Sequence, residues 1–260
     1  MKIWYFVLIS TLYVVSVFSN DSQRRYIEVA FYEYGYLYNM GVGIDRDIIT
    51  EVSKRTGYFF EPVVLARARI WSDLKNGKLD MSVSGIQNEE RDTFAWFVHY
   101  MIIKNYAVLR KADIKNIKNA EDFIVQGHLL FGAVTAFKHG LMQDRWLDIL
   151  RTQNRVEYSQ SADAIFKKIR DGRVNAVFSQ PPVYNKYLKD LMMENIVVIQ
   201  DWTPEENGIK HGLILSKKVF TESDAVFFRK IISDMKNDGT LRRIYLRYLP
   251  ENIVKKMLDF

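Results

Sequence analysis

Arg91, in the run Glu89-Glu90-Arg91-Asp92, is the side chain with the clearest chemical use. A guanidinium presents a planar fork of N–H donors that meets a carboxylate at two points. Set among three acids, the same arginine also reads as one member of a surface ion-pair cluster. Upstream, Tyr32, Tyr34, Tyr36 and Tyr38 alternate through a turn-like segment. Aromatic faces supply apolar area, a polar tip and a π surface for a cation. Any one of them also serves as packing, and the reading places at least one of Tyr34 and Tyr38 on a ligand. Trp71 and Trp96 are further wall candidates, although Phe94-Ala95-Trp96-Phe97 more simply packs a core. Ser84, Gly85 and Ile86 close a predicted strand, where free backbone groups can bond a ligand without a particular side chain. Arg67 and Arg69 read as solvated surface or as additional cations facing the same place.

Other chemistries are poorly served by this sequence. It contains no cysteine, which removes disulfides, thiolate zinc sites and cysteine nucleophiles. The four histidines (99, 128, 139 and 211) lack metal-ligand spacing and read as structural or exposed. Gly41-Val42-Gly43 lacks the third glycine of a dinucleotide loop, and neither a P-loop nor Gly-x-Ser-x-Gly occurs. No cofactor, no metal and no catalytic residue is therefore expected. A formal charge of +6 without a run of five basic residues argues against a nucleic-acid partner.

The elements that must position these residues follow from periodicity. Residues 25–31 alternate and are rich in branched and aromatic side chains, which predicts a strand. Ile44, Ile48, Ile49 and Val52 fall at helical spacing ahead of Gly57, a natural stop. A strand over 58–64, a helix over 68–76 closed by Gly77 and a strand over 79–84 complete a β-α-β-α-β order. That order implies a parallel sheet with helices on its faces. A second set starts after Lys111, with strands over 129–134, 156–158, 174–179 and 196–199 and helices over 138–150, 162–171 and 183–194. A strand over 212–216 and helices over 223–236 and 241–249 close the chain.

The first twenty residues differ in kind. Met1-Lys2 precedes an apolar run from Ile3 to Phe18, and a polar stretch begins at Asn20. This reads as a secretory signal peptide over residues 1–19, cleaved near Ser19. The run of some sixteen residues falls short of the roughly 20 that span a bilayer, which disfavours a retained anchor.

Several short motifs then line up in one order. Gly43-Ile44-Asp45, Leu74-Lys75-Asn76-Gly77-Lys78-Leu79-Asp80, Ser84-Gly85 with Glu90-Arg91, Asp171-Gly172-Arg173-Val174-Asn175-Ala176-Val177 and Asp238-Gly239-Thr240-Leu241 occur in sequence. Together they resemble the periplasmic solute-binding proteins of amino-acid ABC transporters, family 3, the type II class. The resemblance implies an α/β, two-lobed fold with two mixed sheets joined by two crossover strands. It places lobe 1 at residues 23–109 and 203–260 and lobe 2 at 110–202, with ligand held between them. It implies that Arg91 takes the ligand carboxylate. It also implies a small-molecule ligand, an inner-membrane ABC permease as partner, a periplasmic location, a monomer and no enzymatic activity.

Two departures from the family pattern bear on the ligand. Gln180, in Ser179-Gln180-Pro181-Pro182, stands where amino-acid binders usually carry an aspartate for the α-ammonium. A neutral amide accepts a hydrogen bond but brings no charge; Glu33 is the candidate substitute. Thr135-Ala136-Phe137-Lys138 stands where many relatives have Gly-Ser-Thr opening a helix whose N–H groups hold the carboxylate. Here Thr135 offers a hydroxyl and Lys138 a charge. Two rival roles share the fold: an extracytoplasmic sensor module, and a dehydratase-like enzyme using Glu33, Lys138 or His139 as acid or base.

Overall fold

The computed structural model describes residues 26–260, and the expected signal peptide lies outside the described residues. The chain begins β1 (Tyr26–Phe31), α1 (Ile44–Thr56), β2 (Phe59–Val64), α2 (Arg67–Asn76) and β3 (Met81–Ile86). It continues α3 (Glu89–Asp92), β4 (Ala95–Ile103) and β5 (Tyr106–Arg110). Next come α4 (Ala120–Val125), β6 (Phe131–Val134), α5 (Leu141–Thr152), β7 (Val156–Ser159) and α6 (Ala162–Arg170). The remainder is β8 (Ala176–Ser179), α7 (Pro181–Asp190), β9 (Val197–Gln200), β10 (Ile209–Ser216), α8 (Glu222–Asn237), α9 (Thr240–Leu246) and α10 (Glu251–Met257).

Two five-stranded sheets result, in the orders β2-β1-β3-β10-β4 and β7-β6-β8-β5-β9. In the first, β1 runs parallel to β2 and β3, while β10 is antiparallel to both β3 and β4. In the second, β6 is parallel to β7 and β8, while β5 is antiparallel to β8 and β9. The strands of each sheet that run parallel leave their C-terminal ends on one rim, which is where ligands bind in such sheets. The chain crosses between sheets at Lys104-Asn105 and returns over residues 201–208. Lys104 Nζ ties the two crossings by an ion pair with Asp201, 2.8 Å away.

Local sequence accounts for the helices that hold the rim. α1 buries Ile44, Ile48, Ile49 and Val52 and stops at Gly57, whose left-handed backbone lets its N–H reach the Ser53 carbonyl. Prolines 181 and 182 start α7, where a missing N–H costs nothing.

The structure departs from the sequence expectation in several places, and the short helices α3 and α4 had no expected counterpart. β5 pairs wholly within the second sheet, so the first crossing lies before Tyr106 and not at the 109/110 boundary. β4 was not expected; its near-continuous apolar run (Ala95–Ile103) lacks the alternation that marks a half-buried strand. The helix expected from Lys138 begins only at Leu141, because Gly140 adopts φ 129° and residues 135–140 form a loop. The last expected helix, over 241–249, is α9 and ends at Leu246, and a further helix, α10, that was not expected follows Pro250.

Candidate functional site

The site is built around the end of β3. Ser84 has φ +51°, uncommon for a residue with a side chain, and it is held there by its N–H and its hydroxyl. Its N–H donates to Tyr100 Oη at 2.7 Å, and its hydroxyl donates to Asp45 Oδ2 at 2.7 Å. Tyr100 Oη donates in turn to Asp45 Oδ1 at 2.7 Å. Asp45, in the first turn of α1, is buried, and burial pushes its carboxyl up to about 7 despite the Ser84 and Tyr100 hydrogen bonds and the Arg67 charge, which pull it down.

That shift has a pH consequence. Between about pH 4 and about 7 the folded protein retains a proton on Asp45 that the unfolded chain has released. The associated stability is complete below pH 4 and is lost as pH rises through 7. Denaturant unfolding should show the wild type losing stability relative to Asp45→Asn across that window. Parallel curves would show Asp45 to be ionised throughout.

Two guanidiniums sit on this frame. Arg67, the first residue of α2, donates to the carbonyls of Val83 (3.3 Å) and Ser84 (3.1 Å). Arg91, in α3, donates to the Ile86 carbonyl at 2.7 Å, and its own N–H is capped by Asn88. Both lie over one indole: the Arg91 Cζ is 3.7 Å and the Arg67 Cζ 4.7 Å from the Trp71 ring centroid. Arg67 also lies 4.3 Å from the Tyr32 ring. Burial, and then the Arg67 charge, lowers Arg91 to about 10, so it stays cationic at neutral pH. Among the described residues neither guanidinium has a carboxylate within ion-pair distance, and the backbone bonds leave most of their donors unused.

The second lobe supplies the opposite wall. Ala136, at φ +63°, turns the β6–α5 loop so that Phe137 packs on Tyr34 (4.6 Å between centroids) and Tyr32 (5.9 Å), with Lys138 beside it. Gln180, the residue before α7, reaches His211 on β10, with 3.2 Å between the two Nε2 atoms. His211 Nδ1 lies 3.3 Å from the Ser84 carbonyl, an acceptor only. The ring proton therefore sits on Nδ1, and Gln180 Nε2 donates to the bare His211 Nε2. This leaves the buried Gln180 Oε1 without a donor among the described residues. Burial takes His211 down to about 3, which keeps it neutral.

The lobes are closed on one another. The Tyr36 N–H donates to the Pro182 carbonyl at 2.8 Å, and Gly35 lies directly against Pro182 and Val183. One contiguous buried cluster contains side chains of both lobes, Tyr34, Val83, Phe166 and Tyr187 among them. Between Arg91 and Phe137 an inner cavity of only about 10 Å³ remains, room for about one water. A larger outer cavity of about 240 Å³ lies beyond Tyr32, Tyr34 and Phe137, and Arg67 reaches both.

Of the residues expected in the site, Tyr34, Ser84, Ile86, Arg91, Ala136, Phe137, Lys138 and Gln180 line the inner cavity. Tyr38 does not; its ring stacks on Phe31 at 4.6 Å in the lobe core. Gly85 faces the Ile214 side chain, and a side chain there would collide with it. Thr135 lines the outer cavity, and its hydroxyl bonds the Ser159 carbonyl at 3.3 Å. The Thr135–Lys138 segment opens no helix, so it presents no helix N-terminus to a carboxylate. Glu33 is turned away, accepting from Asn39 Nδ2 at 2.9 Å and the Met40 N–H at 3.2 Å. Arg67 and His211 are cleft residues that the sequence reading undervalued. The Arg67-x-x-x-Trp71 spacing could have exposed the first, since i and i+4 meet on a helix.

Comparisons with known proteins agree with the architecture. The sequence pattern of the bacterial extracellular solute-binding proteins, family 3, matches residues 26–251. Among curated proteins no sequence match is found. An ancestral arginine-binding protein bound to glutamine superposes with a TM-score of 0.71 at 22% identity, covering 88% of this chain and 99% of that one. The arginine-, lysine-, histidine-binding protein ArtJ of Geobacillus stearothermophilus superposes with a TM-score of 0.71 at 18% identity, covering 89% and 100%. A histidine kinase sensor domain with similarity to periplasmic binding proteins gives 0.71 at 13% identity, covering 88% and 97%. At such identities these similarities concern the fold.

Proposed function

Because the chain belongs to the bacterial extracellular solute-binding proteins, family 3, we propose that it captures a small carboxylate-bearing solute, an amino acid or a derivative of one, between its lobes. In this reading it works in the periplasm as a monomer after removal of its signal peptide, and passes the solute to an inner-membrane ABC permease. The observation that carries the reading is Arg91. Its fork is held by the Ile86 carbonyl and the Trp71 face, opens into the cleft, and has no acidic partner among the described residues. A carboxylate would meet it with two charge-assisted hydrogen bonds. Ser84, Ile86, Ala136 and Phe137 would then enclose the solute, and the closed lobe geometry is the signal the permease reads.

The solute's fate inside the cleft is binding without turnover. Glu33 is engaged with Asn39 and Met40, and His139 stands behind the cavity, its ring 3.5 Å from Asp144, which leaves Lys138 as the one expected acid-base candidate on the inner wall. A sensing role has one specific support, the structural likeness to a histidine kinase sensor domain. Loss of solute uptake on gene deletion supports transport, whereas intact uptake with a lost transcriptional response supports sensing.

Thermal unfolding with small carboxylic acids and their methyl esters tests the reading. A bound acid at about 100 times its dissociation constant should add about 2.7 kcal/mol of stability, and the esters should add none. Equal stabilisation by acid and ester would remove the carboxylate from this account.

A further inference from the structure

We infer that the preferred solute carries two acidic groups and no free ammonium, and that Arg67 is the residue that selects it. The inference rests on the carboxylate-binding reading above and narrows it to a class. Among the described residues the inner cavity is lined by three cations, Arg67 and Arg91 from one lobe and Lys138 from the other, and by no carboxylate. Asp45, the nearest buried acid, spends its two oxygens on Ser84 and Tyr100.

Two like charges held over one indole repel, and a ligand of opposite charge relieves that repulsion. Arg67 and Arg91 share the Trp71 face, and each is anchored from behind by backbone carbonyls that fix its direction without neutralising it. One carboxylate would balance one of these charges and leave the other uncompensated once the lobes exclude water. A dianion balances both. An ammonium would be repelled by all three cations, and in the inner cavity the unpartnered acceptor it would meet is the neutral Gln180 Oε1. That oxygen suits a hydroxyl or an amide N–H instead. Arg67 also reaches the outer cavity, which Glu33 lines as well; Glu33 is bonded to Asn39 and Met40, and the second acidic group has space on the Arg67 side, beside Tyr32 and Phe137. The second group is a carboxylate, a phosphate or a sulfonate, all of which a guanidinium fork accepts.

Titration calorimetry on the purified protein decides the matter. The panel contains succinate and glutarate, 3-phosphoglycerate and sulfoacetate, the monoacids propionate and butyrate, and zwitterionic glutamine and arginine. At least one dianion should bind about 30-fold more tightly than any monoacid, and the dicarboxylates against the phospho- and sulfo-acids identify the second group. Arg67→Gln should lose that factor, so that dianions bind no more tightly than monoacids in the variant. Arg67→Lys keeps the charge and should retain the dianion preference, which guards against a variant that merely packs badly. Zwitterions or monoacids binding as tightly as dianions would overturn the proposal and leave the carboxylate reading standing. Absence of binding by every acid would overturn both.

Discussion

Arg91→Ala is expected to weaken solute binding by about 100- to 1000-fold while the unliganded protein keeps its fold. Two hydrogen bonds to a charged group, at about 1.5–2 kcal/mol each, the lower part of the usual span, set that range. The folding cost is small for reasons visible around the residue. Among the described residues Arg91 has no acidic partner that its loss would strand, and its backbone acceptor, the Ile86 carbonyl, is not deeply buried. Removing it also relieves its repulsion with Arg67, which contributes to its lowered proton affinity. Calorimetry and a melting curve on the same sample check both halves. Wild-type affinity in the variant would transfer the anchor to Arg67 or Lys138, and collapse of the fold would make Arg91 a structural residue.

The second large effect is expected at Gly35. A methyl group there would stand 2.5 Å from Val183 Cα and 2.6 Å from the Pro182 carbonyl oxygen. Both are backbone atoms of the other lobe, at the start of α7, and neither can rotate aside. Gly35→Ala should therefore hold the lobes apart, break the Tyr36–Pro182 hydrogen bond and lower ligand affinity by about 100-fold, the upper end of what overpacking costs. Small-angle scattering should show an expanded particle that contracts less on ligand addition. Gly41 provides the control: at φ +84° it demands the same kind of backbone, but nothing lies within 4 Å of its missing side chain. Gly41→Ala should bind normally. Equal losses in the two variants would assign the effect to backbone strain and not to closure.

The contrast between these residues shows what the sequence made legible. α1 could be read because Ile44, Ile48, Ile49 and Val52 are buried on one face and Gly57 ends it, all local facts. Arg91 stood out because charge chemistry is written in residue type. Tyr38 misled because alternation implies a common face only in a strand, and residues 32–39 form a loop that sends its ring to Phe31. β4 was hidden by being apolar on both faces. The Gln180–His211 contact has no local trace at all: its two halves lie in different lobes and meet only because β10 returns to the first sheet beside β3. Sites assembled by closure are legible in sequence only as far as each wall carries its own chemistry.

The small inner cavity sets the tempo of capture as well as its chemistry. A solute larger than water reaches Arg91 only after Phe137 has left Tyr34 and the Gln180–His211 and Tyr36–Pro182 bonds have parted. Encounter is therefore gated: at high solute concentration the rate of loading is the rate at which the lobes separate, and adding more solute cannot raise it. Departure obeys the same gate: a bound solute leaves only when those contacts part, so one small set of contacts between the lobes governs loading and unloading alike.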